Sequence, residues 1–152
     1  MHKTAEIGRL IHENLNIIAL FAYGQPEVKR ALQTHFKGEW KYLHRTIYEA
    51  GEIRADRALL EMATQLRVLD DTENFGELFK SSFGLVTQVD WKPTELYFRD
   101  MTNKVMHGAE FRWELGKDDG PRVVITPHDE KRWRFAQVEV NALMALVGQI
   151  VF

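Results

Sequence analysis

The chain has 152 residues, no cysteine and a formal net charge of −2, from 20 lysines and arginines against 22 aspartates and glutamates. This length suits one domain with a sizeable core, and the lack of cysteine excludes disulfides, thiolate nucleophiles and Cys-ligated metal sites. The near-neutral charge excludes a polycation that condenses on nucleic acid as a whole, so any nucleic-acid site has to be a local patch.

The beginning and the hydropathy of the chain predict a cytoplasmic protein without a membrane span. Residues 1–6 lack the charged start and apolar run of a signal peptide. The longest uncharged apolar run, residues 142–152, is shorter than the roughly 20 residues that a spanning helix needs.

Helical periodicity dominates the first two thirds of the chain. An apolar stripe predicts a first helix that starts near Thr4 and stops at residues 24–26, and a second helix over residues 26–38. For residues 39–50 we favour a helix over a strand. A further helix is predicted over residues 53–69. Its inner side consists of Ala55, Leu59, Met62, Ala63, Leu66 and Leu69.

A short helix is predicted after the acidic residues 70–73, because anionic side chains favour the positive end of a helix dipole. Gly84 would end this helix, and a connector through Trp91 and Pro93 would follow. Thr94 would then cap a helix that runs to His107, with Gly108 in the position of a C-terminal glycine cap. We call this last element the site helix.

After Gly108 the hydrophobic period changes from 3.6 to 2, which predicts three short strands around Phe111, Val123 and Trp133. Turn-forming residues at 117–121 and 127–130 favour an antiparallel meander. One face would pack on the helices and the other would carry arginines, which we expect to pair with neighbouring acids rather than to grip phosphates. These arginines are Arg112, Arg122, Arg132 and Arg134.

A final helix, apolar nearly all round, is predicted over residues 138–151. The predicted fold is therefore one α+β domain, mainly α, over residues 1–152. It is a helical bundle with a small C-terminal three-stranded antiparallel meander and a final apolar helix.

Polar side chains share one face of the site helix. Asp100, Asn103 and His107 lie at helical spacing, with Arg99 beside them. Such a set suits acid–base chemistry: His107 would titrate near neutral pH, Arg99 would hold a phosphate or oxyanion, and Asp100 would orient a donor. Asn103 would fix a ligand by hydrogen bonds. A structural interpretation stays open, in which His107 bonds free carbonyls and Asn103 ties the helix to the adjoining strand.

This helix end resembles the signature of the HEPN-like helical-bundle proteins, in which an Arg, then four to six residues often starting with Asn, precede a His. Asn103 and His107 match that pattern, Thr102 stands where the Arg belongs, and Arg99 is separated from His107 by seven residues, one beyond the usual limit. The resemblance implies a helical bundle. In the ribonuclease members it implies metal-independent RNA cleavage by the Arg and the His, commonly across a homodimer interface.

The segment Asn-Lys-Val-Met-His, at 103–107, also looks like a set of uncharacterised bacterial proteins with an Asn-Lys-x-x-His helix end. The likeness covers residues 94–152 and weakly includes residues 66–71. It carries over Asn103, Lys104 and His107 and nothing further.

We expect neither a metal nor another cofactor, since the histidines show no ligand spacing and no phosphate-cradling loop precedes a helix. We favour a noncatalytic HEPN-like module that binds a protein partner or nucleic acid, with Asn103, Lys104 and Asp100 as binding residues. One alternative is a metal-independent endoribonuclease with His107 and Arg99 as catalytic residues.

The other alternative is a structural homodimeric subunit. A homodimer is expected because the apolar residues of the final helix occupy more than one stripe, and exposed apolar patches mark protein contacts. The rival explanation is that this helix is buried within its own chain.

Overall fold

The computed structural model describes residues 2–36 and 40–152. It consists mainly of two long helices and one antiparallel sheet, which combines a hairpin with a meander. This confirms an α+β fold that is mainly helical. The helical elements are α1 (His2–His35), α2 (Trp40–His44), a π-helical segment (Arg45–Glu49), α3 (Ala50–Glu73), a 3-10 turn (Phe75–Glu77), α4 (Phe98–Met106) and α5 (Val140–Val147).

The sheet has five antiparallel strands rather than the three predicted. They are β1 (Gly84–Gln88), β2 (Pro93–Glu95), β3 (Gly108–Glu114), β4 (Arg122–Pro127) and β5 (Trp133–Glu139), in the spatial order β2-β1-β5-β4-β3. The predicted meander is present as β3-β4-β5, joined by the two predicted turns. The β1–β2 hairpin extends it because β5 pairs with β1 as well as with β4.

The core lies where α1 and α3 pack on each other and on the inner face of the sheet. All six residues predicted for the inner side of α3 are buried, because apolar side chains at spacings of three and four form one continuous stripe. The sheet contributes Val86, Val123, Ile125, Ala136 and Val138 from its inner face, and Val124, on the opposite face of β4, is buried as well.

The predicted stop at residues 24–26 is wrong, since α1 continues through Gly24 and Pro26 to His35. Proline inside a helix removes one backbone hydrogen bond. Here the helix on both sides of Pro26 is anchored in the core by Ala22 and Leu32, so tertiary packing outweighs the local signal. The predicted interruption at Gly38 and the start at Glu39 lie outside the described residues.

The helical preference for the next segment is confirmed over residues 40–50. No break separates it from the following helix: α2, the π-helical segment and α3 are continuous to Glu73. A π-helical turn holds one extra residue and shifts the helical face that follows it. Tyr48 in this turn is half-buried against Phe21 of α1, with 6.0 Å between the ring centroids.

The prediction of a short helix after residues 70–73 is wrong. The acids form the last turn of α3, Asn74 ends it in a left-handed conformation with φ of 53°, and a 3-10 turn follows. Asp70 Oδ1 accepts a hydrogen bond from the backbone N–H of Gly76 at 2.6 Å, so this acid serves the turn beyond the helix. The segment that follows is the β1–β2 hairpin.

Gly84 starts β1 and does not end a helix. Its φ of 144° is accessible mainly to glycine, and a Cβ there would overlap the carbonyl oxygen of Gln137 on β5. The site helix is also shorter than predicted: Pro93 and Thr94 belong to β2, and α4 begins at Phe98. Gly108 is the first residue of β3 rather than a left-handed cap, and a Cβ there would overlap the side chain of Ile125.

Ion pairs form on the outer face of the sheet, as predicted. Glu114 lies 3.8 Å from Arg112 and 3.9 Å from Arg122, and Arg134 lies 3.6 Å from Glu130. Arg132 has no ion-pair partner among the described residues. Such exposed pairs contribute little stability each.

The final helix is shorter than predicted and is covered by its own chain. Residues 138 and 139 belong to β5, and Val140, Leu143, Leu146 and Val147 of α5 are all buried. Met144 is 39% exposed. One side of α5 is thus covered by its own chain while Met144 is exposed on the other, and the homodimer stays a prediction.

We predict that Gly84→Ala destabilises the fold by at least about 2 kcal/mol, because the new Cβ requires a strained φ and displaces β5. Urea unfolding followed by circular dichroism would measure it. The control is Gly24→Ala within α1, where a Cβ meets no atom within 4 Å. That change should stabilise the helix by about 0.5–1 kcal/mol. Equal effects of the two substitutions would contradict the close β1–β5 approach.

Candidate functional site

The site helix α4 buries one face and exposes the other. Phe98, Met101, Thr102 and Val105 are buried at the spacing i, i+3, i+4 and i+7. The Thr102 hydroxyl donates to the carbonyl oxygen of Arg99 at 2.9 Å. Position 102 therefore faces the core, and the arginine that the HEPN-like signature places there would have to be buried.

Arg99 lies at the N-terminal end of α4 and is paired with the end of α3. Its Nη1 is 2.7 Å from Asp70 Oδ2 and 3.4 Å from Asp71 Oδ1. The bond to Asp70 is the main reason why the pKa of Arg99 is raised. Arg99 and His107 are eight positions apart, which corresponds to about 12 Å along the helix axis. The structure thus does not bring the two predicted catalytic residues together.

Asn103 lies in the middle of α4 and faces α3. Its Oδ1 accepts a hydrogen bond from Nη1 of Arg67, 36 residues earlier in the chain. The expected tie from Asn103 to the β3 strand is wrong; the tie runs to α3. The Nε of Arg67 is buried and has no acceptor among the described residues. Arg67 is the site residue that the sequence analysis missed, although it falls in the 66–71 segment of the second resemblance.

Lys104 and Asp100 hold each other on the surface of α4. Lys104 Nζ is 2.8 Å from Asp100 Oδ1, the i, i+4 pairing expected on a helix. The same ammonium lies 4.9 Å from the centroid of the Trp133 ring, a cation–π contact that anchors α4 to β5. Lys104 and Asp100, two of the three predicted binding residues, are therefore already paired with side chains of this chain.

His107 ends α4 and is exposed. Its backbone N–H donates to the carbonyl oxygen of Asn103 at 3.0 Å, which closes the last helical turn. Within residues 2–36 and 40–152 its imidazole has no hydrogen-bond or ion-pair partner. Of the five residues predicted for this site, His107 is the one whose side chain faces solvent without a partner in the described part of the chain.

A second candidate surface lies on the other side of the α4–β3 junction. A groove of about 660 Å³ runs between α3 and the first half of β3. We call it the α3–β3 groove. It is lined by Ile53, Asp56, Arg57, Leu60, Val105, Met106, Gly108, Ala109, Glu110 and Phe111.

Asp56 of this groove is tied to the sheet. Its Oδ1 accepts a hydrogen bond from Nε1 of Trp113 at 2.7 Å. Burial raises the pKa of Asp56 and Glu52 adds to the rise, while the Trp113 bond opposes it. The bond fixes the position of β3 relative to α3 and so the width of the groove.

The described residues include no group of three or more histidines and acids placed to hold a metal ion. In the same part of the chain, none of the helices combines the length and apolar character that crossing a bilayer would require. No protein-family model, curated protein or solved structure matches the chain.

We predict that Asn103→Ala costs about 1–3 kcal/mol of unfolding free energy, because Arg67 then has a second partly buried donor without an acceptor. Asn103→Asp should retain stability, since a carboxylate still accepts from Arg67. Asn16→Ala, an exposed asparagine of α1, is the control and should change stability by less than about 0.5 kcal/mol. An unchanged thermal midpoint for Asn103→Ala would defeat the structural role.

Proposed function

We propose that this protein is a noncatalytic protein-binding module that takes an extended segment of a partner along the β3 edge. One observation carries the proposal: an edge strand of seven residues borders an apolar groove. An extended segment can add to such an edge by main-chain hydrogen bonds, while alternate side chains enter the groove.

The open edge supports the proposal. Among the described residues β3 pairs with β4 alone, so one side of its backbone is free. The four consecutive residues 108–111 line the groove, and a β-bulge interrupts the pairing of β3 with β4 between Gly108 and Glu110. The groove therefore lies beside the first, bulged half of the β3 edge. The opposite edge, β2, has three residues and begins with a proline, which blunts it for pairing.

The groove wall supplies apolar surface. Ile53 and Leu60 are seven residues apart on α3, and they are 60% and 43% exposed. Met106 and Phe111 face them from the α4–β3 junction. Two carboxylates, Asp56 and Glu110, and one guanidinium, that of Arg57, also line the groove, and this excess of negative charge disfavours a phosphate backbone as the occupant.

A concave groove needs a convex occupant, which is why we propose a partner segment rather than a second copy. In a twofold pairing each chain presents the same surface to the other. Two β3 edges would then bring two grooves together and leave both unfilled. A single extended segment fills the groove with alternate side chains and pairs with the edge at the same time.

The contacts of α4 support the noncatalytic part of the proposal. Arg99 and Lys104 both form ion pairs with side chains of this same chain, so their contacts are explained without a substrate.

The test is selection of peptides from a random 12-residue display library on the folded chain. We expect enriched peptides that bind at micromolar Kd and protect β3 amides from hydrogen exchange. Ile53→Glu with Leu60→Glu should weaken their binding at least tenfold, because charge enters the apolar wall. The matched control is Leu20→Glu, an exposed leucine of α1.

Failure to enrich peptides, or enriched peptides that leave β3 exchange unchanged, would overturn the proposal. Sedimentation equilibrium tests the other possible occupant, a second copy of this chain. A two-chain mass, together with protection of β3 amides that rises with protein concentration, would show that the β3 edge binds a second copy rather than a partner segment.

A second candidate, metal-independent RNA cleavage, is favoured by the Arg67–Asn103 bond. Asn103 and His107 lie one turn apart on one face of α4, and Arg67 reaches that face from α3. Arg67 would then supply the guanidinium that the sequence lacks at position 102, in place of the Arg99 considered above. A guanidinium beside an imidazole suits the charge and proton transfers of phosphodiester cleavage.

Incubation with a mixed RNA pool in EDTA tests this candidate. Chelator-resistant cleavage should fall at least about 100-fold in His107→Ala, the usual minimum for loss of a general acid or base. Arg67→Lys should reduce it, while Arg99→Lys and the exposed His128→Ala should leave it unchanged. No cleavage, or cleavage that survives His107→Ala, would reject the candidate.

A further inference from the structure

A second cavity, on the far side of Trp113 from α4, is independent of the proposed binding edge. It lies between the C-terminal third of α1, the π-helical segment and the end of β3, and its volume is about 460 Å³. This is within the range of small-molecule sites. We call it the Tyr48 pocket. It is lined by Gln25, Pro26, Lys29, Arg30, Gln33, Tyr48, Trp113 and Leu115.

One wall of the Tyr48 pocket is flat and apolar, and its rings are held in place. Trp113 is fixed by its bond to Asp56 and by an edge contact with Phe21, with 5.4 Å between the centroids. Tyr48 stacks on His44 with 5.1 Å between the centroids. Pro26 and Leu115 complete this wall. Rings held in advance suit a planar ligand, because little order has to be gained on binding.

The opposite wall is polar. Lys29, Arg30 and Gln33 share one face of α1 with Pro26, at spacings of three, four and seven. Gln25 is 8% exposed, and its Nε2 donates to the carbonyl oxygen of Ile47 at 3.4 Å. Its Oε1 receives no hydrogen bond from the described residues. A nearly buried amide thus lines the pocket with an acceptor that is still available.

The charges around the Tyr48 pocket favour an anion. Two cations line it and no carboxylate does, although the chain as a whole carries a net charge of −2. Glu27 lies 2.9 Å from Arg30 on the surface and so shares that guanidinium with any ligand, whereas Lys29 has no ion-pair partner among the described residues. Burial, followed by Glu52, raises the pKa of Tyr48, so its phenol stays neutral at pH 7.

We infer that the Tyr48 pocket binds a small planar aromatic molecule that carries one anionic group, a phosphate or a carboxylate. The ring lies against Tyr48 and Trp113, and the anionic group is held by Lys29 and Arg30. A cationic ligand would be repelled by Lys29 and Arg30, and a purely aliphatic ligand would not stack on Tyr48 and Trp113.

Isothermal titration of the folded chain tests the inference with AMP as the phosphate probe and indole-3-carboxylate as the carboxylate probe. Three control compounds each carry one of the two required groups: adenosine and indole have the aromatic ring alone, and inorganic phosphate has the anionic group alone. We expect a submillimolar Kd for at least one aromatic anion, and at least tenfold weaker binding of the corresponding halves. Which probe binds identifies the anionic group.

Lys29→Gln with Arg30→Gln should weaken binding at least tenfold. The matched control is Lys3→Gln with Arg9→Gln, which removes the same charge from exposed positions of the same helix. Tyr48→Phe should retain binding because the ring is kept. Ile53→Glu with Leu60→Glu should have no effect, so this result and that of the peptide selection are separable.

Absence of binding by both probes at millimolar concentration would overturn the inference. So would equal losses in the two double variants, which would indicate attraction by overall charge. Inorganic phosphate that binds as tightly as AMP would show an anion site without the ring. Because Lys29 and Arg30 are exposed, we expect their replacement to leave the fold intact, so a loss of binding would not result from unfolding.

Discussion

The position of α3 is the constraint on which the rest of the structure depends. Its apolar stripe is buried against α1 and the inner sheet, and this burial fixes the direction of its polar side chains. Those side chains then position the C-terminal half: Asp56 bonds Trp113 of β3, Arg67 bonds Asn103 of α4, and Asp70 bonds Arg99. The rotation of α3 about its own axis therefore determines where the α3–β3 groove lies and which face of α4 is exposed.

The sequence pattern predicted the elements whose signals are local and periodic. The inner side of α3 and the β3-β4-β5 meander follow from spacings of 3.6 and 2, which the structure confirms. It did not predict β1, because a strand of five residues with Gly84 at its start carries little local signal. That strand exists through pairing with β5, about fifty residues later. The local helix-stop signal at Pro26 also gave a wrong prediction, because packing on both sides of the proline outweighs the one lost backbone hydrogen bond.

The candidate site shows the same division. Asn103 and His107 could be placed on one helical face from the sequence, because the spacing of four is a local property. The partners of α4 could not, since the distance along the chain from Arg67 to Asn103 is 36 residues. Side-chain contacts between residues so far apart in the chain leave no periodic pattern in a single sequence. The pairing of Arg99 with Asp70 and Asp71 was missed for the same reason.

The place of β5 in the sheet has a consequence for how the chain is made. β5 follows the other four strands of this sheet in the chain, yet it lies in the middle of the sheet, between β1 and β4. Until residues 133–139 have left the ribosome, the β1–β2 hairpin and the β3–β4 pair are two fragments with open inner edges. Such edges are prone to pair with the wrong strand. The segment after α5 also returns to the first helix, since the Ile150 carbonyl oxygen accepts a 2.8 Å hydrogen bond from the His12 ring of α1. The sheet therefore becomes continuous only when β5 inserts between two strand pairs that precede it in the chain.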